Sequence, residues 1–511
     1  MAVAAGGGLF VLAPKGRILS MLAFRPVLLV TGLLVAVLGL TMLLPMTADL
    51  LSTDQTHRAD WSAFATGCII SVFIGGGAAA ATWGPIDRIG VREGFLLTAL
   101  SWFGLVIFAA VPLALGGLEL SYVDAFFESM SGLTTTGSTV VTNLDDAPPG
   151  ALLWRSMLQW FGGVGIVIMA FAVLPALKVG GMQVFKSEAW DTREKYIANA
   201  AQYSLMLSQI YVFFTLLCFV LLVAFGMPAW HALNHAMTTV ATGGYSTRDA
   251  SLGAFLTVGR APLDLIVTVF MILGSLPFGI FLAAFIRGSW KRLFSDSQIR
   301  FFMAVVAFLT VVMMLRVLSI FDDIDLFTAF RLSVFNVVSI LTGTGYATTD
   351  YNAWGPFAVG FFFVIMFIGG CAGSTSCGMK IFRFQVALAA LRMYSRRLAH
   401  PNGVFVARYN GRPLTDDVFV SVLSFFFVYF ATFATSAVLL SGLGLDTLTA
   451  VSAAGTAIAN VGPGLGDVVG PAGNFASLPD AAKLILSATM LLGRLELFTI
   501  LVIFSPAFWR S

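Results

Sequence analysis

The hexapeptide Leu133-Thr134-Thr135-Thr136-Gly137-Ser138 decides how this chain is read, because its pattern returns three times. The later copies are Thr239-Val240-Ala241-Thr242-Gly243-Gly244, Leu341-Thr342-Gly343-Thr344-Gly345-Tyr346 and Ile458-Ala459-Asn460-Val461-Gly462-Pro463. Aligning Gly137, Gly243, Gly345 and Gly462 gives separations of 106, 102 and 117 residues. One Gly/Thr turn is an ordinary loop. Four at near-equal spacing mean four copies of one structural unit.

Ahead of each turn runs an amphipathic segment of about a dozen residues, too short to cross a bilayer, which takes about 20 residues of helix. Ala125-Phe126-Phe127-Glu128-Ser129-Met130, Ala232-Leu233-Asn234-His235-Ala236-Met237, Phe335-Asn336-Val337-Val338-Ser339 and Thr449-Ala450-Val451-Ser452-Ala453-Ala454 precede their glycines at nearly equal distance. Each reads as a re-entrant half-helix whose C-terminal, negative dipole end points into the membrane and favours a cation. Irregular backbone at that depth persists only where protein or a water-filled cavity surrounds it. Glycine permits the positive φ angles that aim successive carbonyls toward one axis. Four such turns around a pseudo-fourfold axis would make a ring of oxygens that replaces the hydration shell of a monovalent cation. The candidate ligands are Thr135, Thr136 and Gly137; Ala241, Thr242 and Gly243; Gly343, Thr344 and Gly345; and Asn460, Val461 and Gly462.

Composition agrees. In 511 residues the AVILMFWYC set makes up 58% and charged residues 11%, against roughly 25% charged in soluble domains. A soluble protein so poor in charge would expose apolar patches and aggregate, so the chain reads as an all-α integral membrane protein. Ten apolar stretches have spanning length: 27–46, 62–82, 94–117, 151–177, 203–225, 262–286, 299–320, 357–382, 418–441 and 482–505. The first follows Lys15, Arg17 and Arg25 and is too long for a signal peptide, so it reads as an uncleaved span. Two spans (residues 1–93) then precede four units, 94–202, 203–298, 299–417 and 418–511.

With the N-terminus in the cytoplasm, 21 of the 29 Lys and Arg fall on the cytoplasmic side, and the positive-inside rule selects this orientation, which returns the C-terminus to the same side. The outward segments are acidic, with Asp145, Asp146, Asp249, Asp322 and Asp323 among them. Either they concentrate cations at a mouth or they only complement the charge bias. The net charge of +3, with no basic arm, gives no sign of nucleic-acid binding. Cys68, Cys218, Cys371 and Cys377 lie in apolar stretches as small buried hydrophobes, without disulfide or zinc spacing.

Two features break the pattern of plain spans. The eighth stretch carries Gly369, Gly370, Gly373, Ser374, Thr375, Ser376 and Gly378, a density of small, helix-averse residues that should interrupt the helix; a close helix–helix contact is the other account. Arg494 sits midway along the last span, where a charge costs at least about 2.5–3.5 kcal/mol. Its partners would be carbonyls of the broken stretch or an acid such as Glu496, although a residue two positions on points elsewhere along a helix.

These residues together resemble the Trk/Ktr/HKT superfamily of potassium transporters, most closely its bacterial TrkH-type members. Further matches are Gly162-Gly163-Val164-Gly165-Ile166, Val179-Gly180-Gly181-Met182-Gln183, the run from Gly369 to Lys380, and Gly493-Arg494-Leu495-Glu496. The resemblance implies an ion-conducting subunit in the bacterial inner membrane that takes up K⁺, with Rb⁺ as a surrogate. It also implies a fold similar to four linked K⁺-channel subunits with two extra N-terminal helices, assembled as a homodimer. A cytoplasmic TrkA-like ring binding NAD(H), ATP or ADP gates the pore in TrkH-type systems. Any such cofactor would belong to that partner, since this chain's Gly clusters lie inside spans rather than after a strand; K⁺ is the one ion implied for this chain. In the superfamily a Ser at the first filter glycine goes with sodium transport, so Gly137 favours K⁺. By the same resemblance the broken stretch is an intramembrane gate and Arg494 a positive barrier facing the pore; a purely structural tether is the alternative for Arg494.

Other residues stay open. Glu128, Asn234 and Asn336, nine residues before their glycines, either brace the turns or line a vestibule, and His235 reads as a bracing donor rather than a metal ligand. Asp264 and Arg316 near outer span ends would snorkel to the interface. The basic stretch 380–417, with Arg392, Arg396, Arg397, Arg408 and Arg412, would dock a regulator or anionic lipid heads, or serve orientation alone. A competing reading is an H⁺- or Na⁺-coupled secondary transporter of another small solute, which needs acids or histidines inside spans; only Glu496, and Asp264 at a border, qualify. No paired acids, nucleophile–base set or metal cluster suggests an enzyme.

Overall fold

The computed structural model describes residues 24–172 and 200–510, apart from 53, 55, 56, 58, 59, 86–89 and 257–261. Lys15, Arg17 and the 179–183 motif lie outside the described residues. Seven helices among them are long and apolar enough to span a membrane: Phe24–Leu50, Trp61–Ala81, Val91–Leu115, Pro149–Met169, Gln202–Ala224, Ser297–Ile320 and Asp416–Gly442.

The remaining three expected spans are not straight helices. Leu263–Ser275 and Phe278–Ile286 meet at 90°, and Asp480–Arg494 and Phe498–Phe504 at 103°. The first bend sits at Pro277, whose ring removes a backbone donor and clashes with the preceding turn. The second passes through Glu496 (φ 62°) and Leu497 (φ 51°), a left-handed pair that ordinary side chains rarely adopt. The eighth stretch divides into Pro356–Ile365 and Ile381–Ala399. Between them runs irregular backbone closed on itself by a parallel bridge of Ile368 with Met379, the break that the Gly/Ser/Thr cluster leads one to expect.

The two N-terminal helices pack closely through glycine. A methyl group on Gly32 would stand 2.7 Å from the Gly75 carbonyl oxygen, so neither position tolerates a side chain without separating the pair. Arg25 donates to Thr82 O (3.0 Å) and Trp83 O (2.9 Å), satisfying carbonyls left open where Trp61–Ala81 ends.

Four short helices carry the site: Tyr122–Leu133, Ala229–Val240, Leu326–Leu341 and Thr447–Ala459. Their sequences start them in a shared way. Ser121, Asp325 and Asp446 each accept a hydrogen bond from the backbone N–H three residues on, while Pro228 starts the second without a side-chain cap. Phe127 to Leu133 and Asn234 to Val240 are wholly buried, so each helix drives its C-terminal end into the protein. Two ion pairs tie a short helix to a helix of another unit: Arg331 to Asp264 in Leu263–Ser275 (2.6 Å), and Asp124 to Lys483 in Asp480–Arg494 (2.5 Å). Asp264 is therefore buried and paired rather than snorkelling; Arg331 lies 67 positions on, beyond what linear spacing reveals.

Candidate functional site

Each short helix ends in the same backbone turn. Thr136 N donates to Ser131 O, Gly243 N to Thr238 O, Thr344 N to Ser339 O and Val461 N to Thr456 O, at 2.8–3.1 Å. One residue earlier φ is positive, at Thr135 (53°), Thr242 (51°), Gly343 (73°) and Asn460 (51°). One residue later it is positive again, at Gly137 (90°), Gly244 (77°), Gly345 (82°) and Gly462 (112°). The structural counterpart of Gly137 is thus Gly244, not Gly243. Two adjacent glycines made the alignment ambiguous, and the hydrogen-bond register resolves it.

The turns close a ring. A methyl group on Gly137 would overlap Gly243 O, one on Gly244 would overlap Thr344 O, one on Gly345 would overlap Val461 O, and one on Gly462 would lie 2.9 Å from Thr136 O. The glycine of each turn therefore lies against the preceding residue's carbonyl in the next turn, and the fourth returns to the first. The residue after each of the first three glycines reaches the other way. Ser138 Oγ donates to Gly462 O (2.7 Å), the Tyr245 hydroxyl donates to Glu128 O (2.8 Å), and the Tyr346 hydroxyl bonds Thr238 Oγ1 (2.5 Å). These bonds thus tie the first unit to the fourth, the second to the first and the third to the second.

Correcting the register also reassigns the bracing residues. Nine positions before the four glycines stand Glu128, His235, Asn336 and Ala453. Glu128 accepts from Val140 N (2.9 Å) and from Arg155 Nε (2.7 Å), with Arg155 stacked on the Tyr245 ring. His235 Nδ1 donates to His231 O (2.8 Å), so its Nε2 accepts from Ser246 Oγ (3.1 Å). Asn336 Nδ2 donates to Thr348 Oγ1 (2.8 Å). All three hold the strand leaving their own turn; Asn234 instead bonds Trp230 O within its helix.

Beneath the ring lies the irregular stretch 366–380. Ser376 Oγ donates to Thr342 O (2.8 Å), Thr375 Oγ1 approaches Val240 O (3.0 Å) and Gly274 O (2.8 Å), and Cys377 Sγ meets Thr135 Oγ1 (3.4 Å). The stretch thus touches the ends of three short helices at once. It rests on the bend at Pro277: Thr375 N donates to Gly274 O, Cys371 N to Ser275 O, and Phe278 N to Gly373 O. Backbone groups freed by the bend are the ones that hold the loop. Gln298 Oε1 adds a bond to Ala372 N (3.1 Å).

Arg494 enters the same space. Its Nη1 donates to Cys377 Sγ (2.7 Å) and Thr375 O (3.1 Å), and its Nη2 to Gly162 O (3.4 Å). Glu496 does not pair with it but with Arg383, whose guanidinium also lies 3.6 Å above the Phe425 ring. Lys380 donates to Ser376 O and is likewise buried. Lys380 and Arg383 thus belong to the interior rather than to a basic cytoplasmic surface. Among the described residues no His/Cys/Asp/Glu group has a metal-binding arrangement.

The family model for TrkH, described as a cation transport protein, matches residues 61–511. The chain belongs to the TrkH family. It is 44% identical to the Trk system potassium uptake protein TrkI of Halomonas elongata, over 96% of this chain and 97% of that protein. It is 35% identical to the Trk system potassium uptake protein TrkH of Escherichia coli, over 96% of this chain and all of that protein. The crystal structure of the potassium transporter TrkH from Vibrio parahaemolyticus superposes with a TM-score of 0.86 at 34% identity, covering 95% of this chain and all of that one.

Several residues that contact the turns or the loop beneath them gave no linear signal in this chain. Cys377 sits among the glycines without resembling them, Arg155 looks like a stray charge in a span, and Gln159 looks like a tolerated polar residue. Only contacts across units reveal them.

Proposed function

We propose that the chain is the ion-conducting subunit of a bacterial potassium uptake system, carrying K⁺, and Rb⁺ in its place, down a path through the four-turn ring. The ion would exchange its water for carbonyl oxygens of Thr135, Thr136 and Gly137, of Thr242, Gly243 and Gly244, of Gly343, Thr344 and Gly345, and of Asn460, Val461 and Gly462. The carrying observation is the closed ring at the C-terminal ends of four helices, whose aligned dipoles favour a cation where they converge. The printed functions of the TrkI and TrkH relatives support the choice of potassium.

In this reading the short helices are re-entrant halves between paired spans, ten crossings in all, with the termini in the cytoplasm of the inner membrane. The repeats run 94–202, 203–298, 299–417 and 418–511 after the 1–93 extension. The loop carrying Gly369, Gly370, Gly373, Ser374, Thr375, Ser376 and Gly378 closes the path from below, and Arg494 sets a positive barrier across it. A second copy of the chain and a TrkA-like nucleotide-binding ring complete the assembly, and the helix Ile381–Ala399, which follows the loop directly, would link the loop to that ring. Glu128, Asp264 and Glu496 are each engaged by an arginine, so none of these three is a free proton carrier; Asp49, also buried, accepts from Gly150 N and lies outside the four repeats.

The test is uptake of radioactive Rb⁺ by liposomes holding the full-length chain, competed with K⁺, Na⁺ and Li⁺. K⁺ competes best if the ring is the selective element. Equal competition by Na⁺ overturns the reading.

A further inference from the structure

The long helix Pro149–Ala172 places Gly162 against Leu133 O, at the end of the first short helix. Gly274 meets Val240 O, and Gly493 meets Ile458 O, in the same way. Three residues before these glycines stand Gln159, Met271 and Met490, all fully buried. Two units thus use a flexible apolar side chain where the first uses a carboxamide. A buried amide is costly unless hydrogen-bonded, and this one is bonded at both ends. Gln159 Nε2 donates to Gly243 O (2.6 Å), and Gln159 Oε1 accepts from Tyr245 N (3.0 Å).

These bonds bracket Gly244. Gly243 O is the counterpart of Thr136 O, Thr344 O and Val461 O, the oxygens that meet the neighbouring glycines around the ring. Among the described residues none of those three accepts a side-chain hydrogen bond. One of the four carbonyls at this level is therefore held from behind by a donor and fixed in direction. A carbonyl with one lone pair so engaged is a stiffer and weaker ligand than its three counterparts. In a pliable filter, selectivity depends on the number and field strength of the oxygens that can close on the ion.

We propose that Gln159 is a specificity-determining positioning residue: its carboxamide clamps Gly243 O and Tyr245 N and keeps the second turn from contracting around an ion smaller than K⁺. The inference rests on the filter reading above. Replacing Gln159 by Met, the residue that two other units carry, frees the Gly243 carbonyl to swing inward. Replacing it by Glu retains the acceptor for Tyr245 N but sets a carboxylate oxygen against Gly243 O.

The experiment measures Rb⁺ uptake into liposomes by full-length wild type, Gln159→Met, Gln159→Glu and Gly137→Ser, with graded K⁺ or Na⁺ as competitor. The readout is the ratio of inhibitory Na⁺ to K⁺ concentrations, which a loss of folded protein alone does not move. The expected result is a roughly tenfold smaller ratio for Gln159→Met, the equivalent of about 1.4 kcal/mol of discrimination, and a loss in the same direction for Gln159→Glu. If Gly137→Ser lowers the ratio while both Gln159 variants keep the wild-type value, the proposal is overturned and the filter reading survives. If Gly137→Ser also keeps the wild-type ratio, the filter reading itself fails. Should Gln159→Met not reach the membrane, the near-isosteric Gln159→Glu decides the matter alone.

Discussion

Arg494 Nη1 stands 2.7 Å from the Cys377 sulfur and 3.1 Å from Thr375 O, so one guanidinium joins the last unit to the loop beneath the ring. Removing it takes away both a tether and a positive charge on the proposed cation path. Arg494→Ala is expected to raise Rb⁺ uptake by the isolated chain about tenfold or more, since two unit charges 4 Å apart interact by about 4 kcal/mol even at an effective dielectric of 20. Cys377→Ala leaves the charge in place and removes the Arg494 acceptor together with the weak contact to Thr135 Oγ1, and an increase of about fivefold, the equivalent of about 1 kcal/mol, follows from the loss of one hydrogen bond. Flux unchanged in both variants would take the pair out of the gate.

The cradle at Pro277 makes a separate prediction. Thr375 Oγ1 bonds a carbonyl at the bend and lies against the second short helix, while Gln298 holds Ala372 N. Thr375→Val and Gln298→Leu each remove about 1 kcal/mol of anchoring. Each should raise basal uptake several-fold, and together they should nearly add, because the two anchors share no partner. Measured in liposomes without any regulator, a double variant no leakier than wild type would mean that the loop is held elsewhere.

How far the chain could be read from its letters depends on the range of the interactions. The four turns and the break at Gly369–Gly378 were legible because both arise from local backbone preference, glycine and small polar residues where a helix cannot continue. Pro277 was an equally local signal inside an apolar run, and it bends its helix. The bend at Glu496 and Leu497 had none: Leu495, Glu496 and Leu497 are good helix formers, and Arg383, more than a hundred positions away, holds Glu496. Lys380 and Arg383 were counted as cytoplasmic charges for the same reason, since their buried partners belong to other elements. The choice between Gly243 and Gly244 was undecidable without the bond from Gly243 N to Thr238 O.

The Glu128–Arg155 pair is almost wholly buried, with side-chain exposures of 0% and 2%. Breaking such a pair from one side leaves an uncompensated charge and costs about 3–5 kcal/mol. Glu128→Ala or Arg155→Ala alone should therefore lower the thermal transition of the detergent-solubilised protein markedly. The double variant should lose much less than the sum, because no charge is then stranded. Additive losses would show that the two side chains stabilise the first unit independently.

Two alanine substitutions one residue apart test whether conduction follows the register of the second turn. Gly244 has φ 77°, and a methyl group there would overlap Thr344 O, a backbone atom of the next turn that cannot retreat without opening the ring. Left-handed backbone adds about 1–2 kcal/mol for any residue with a Cβ. Gly243 lacks a positive φ, and the methyl group would meet only the end of the Gln159 side chain, which can shift. Gly244→Ala should abolish Rb⁺ uptake, whereas Gly243→Ala should retain a measurable part of it, with its K⁺ preference reduced because the Gln159 clamp is displaced. Were Gly243→Ala the more damaging of the two, conduction would depend on Gly243 rather than on Gly244, the structural counterpart of Gly137.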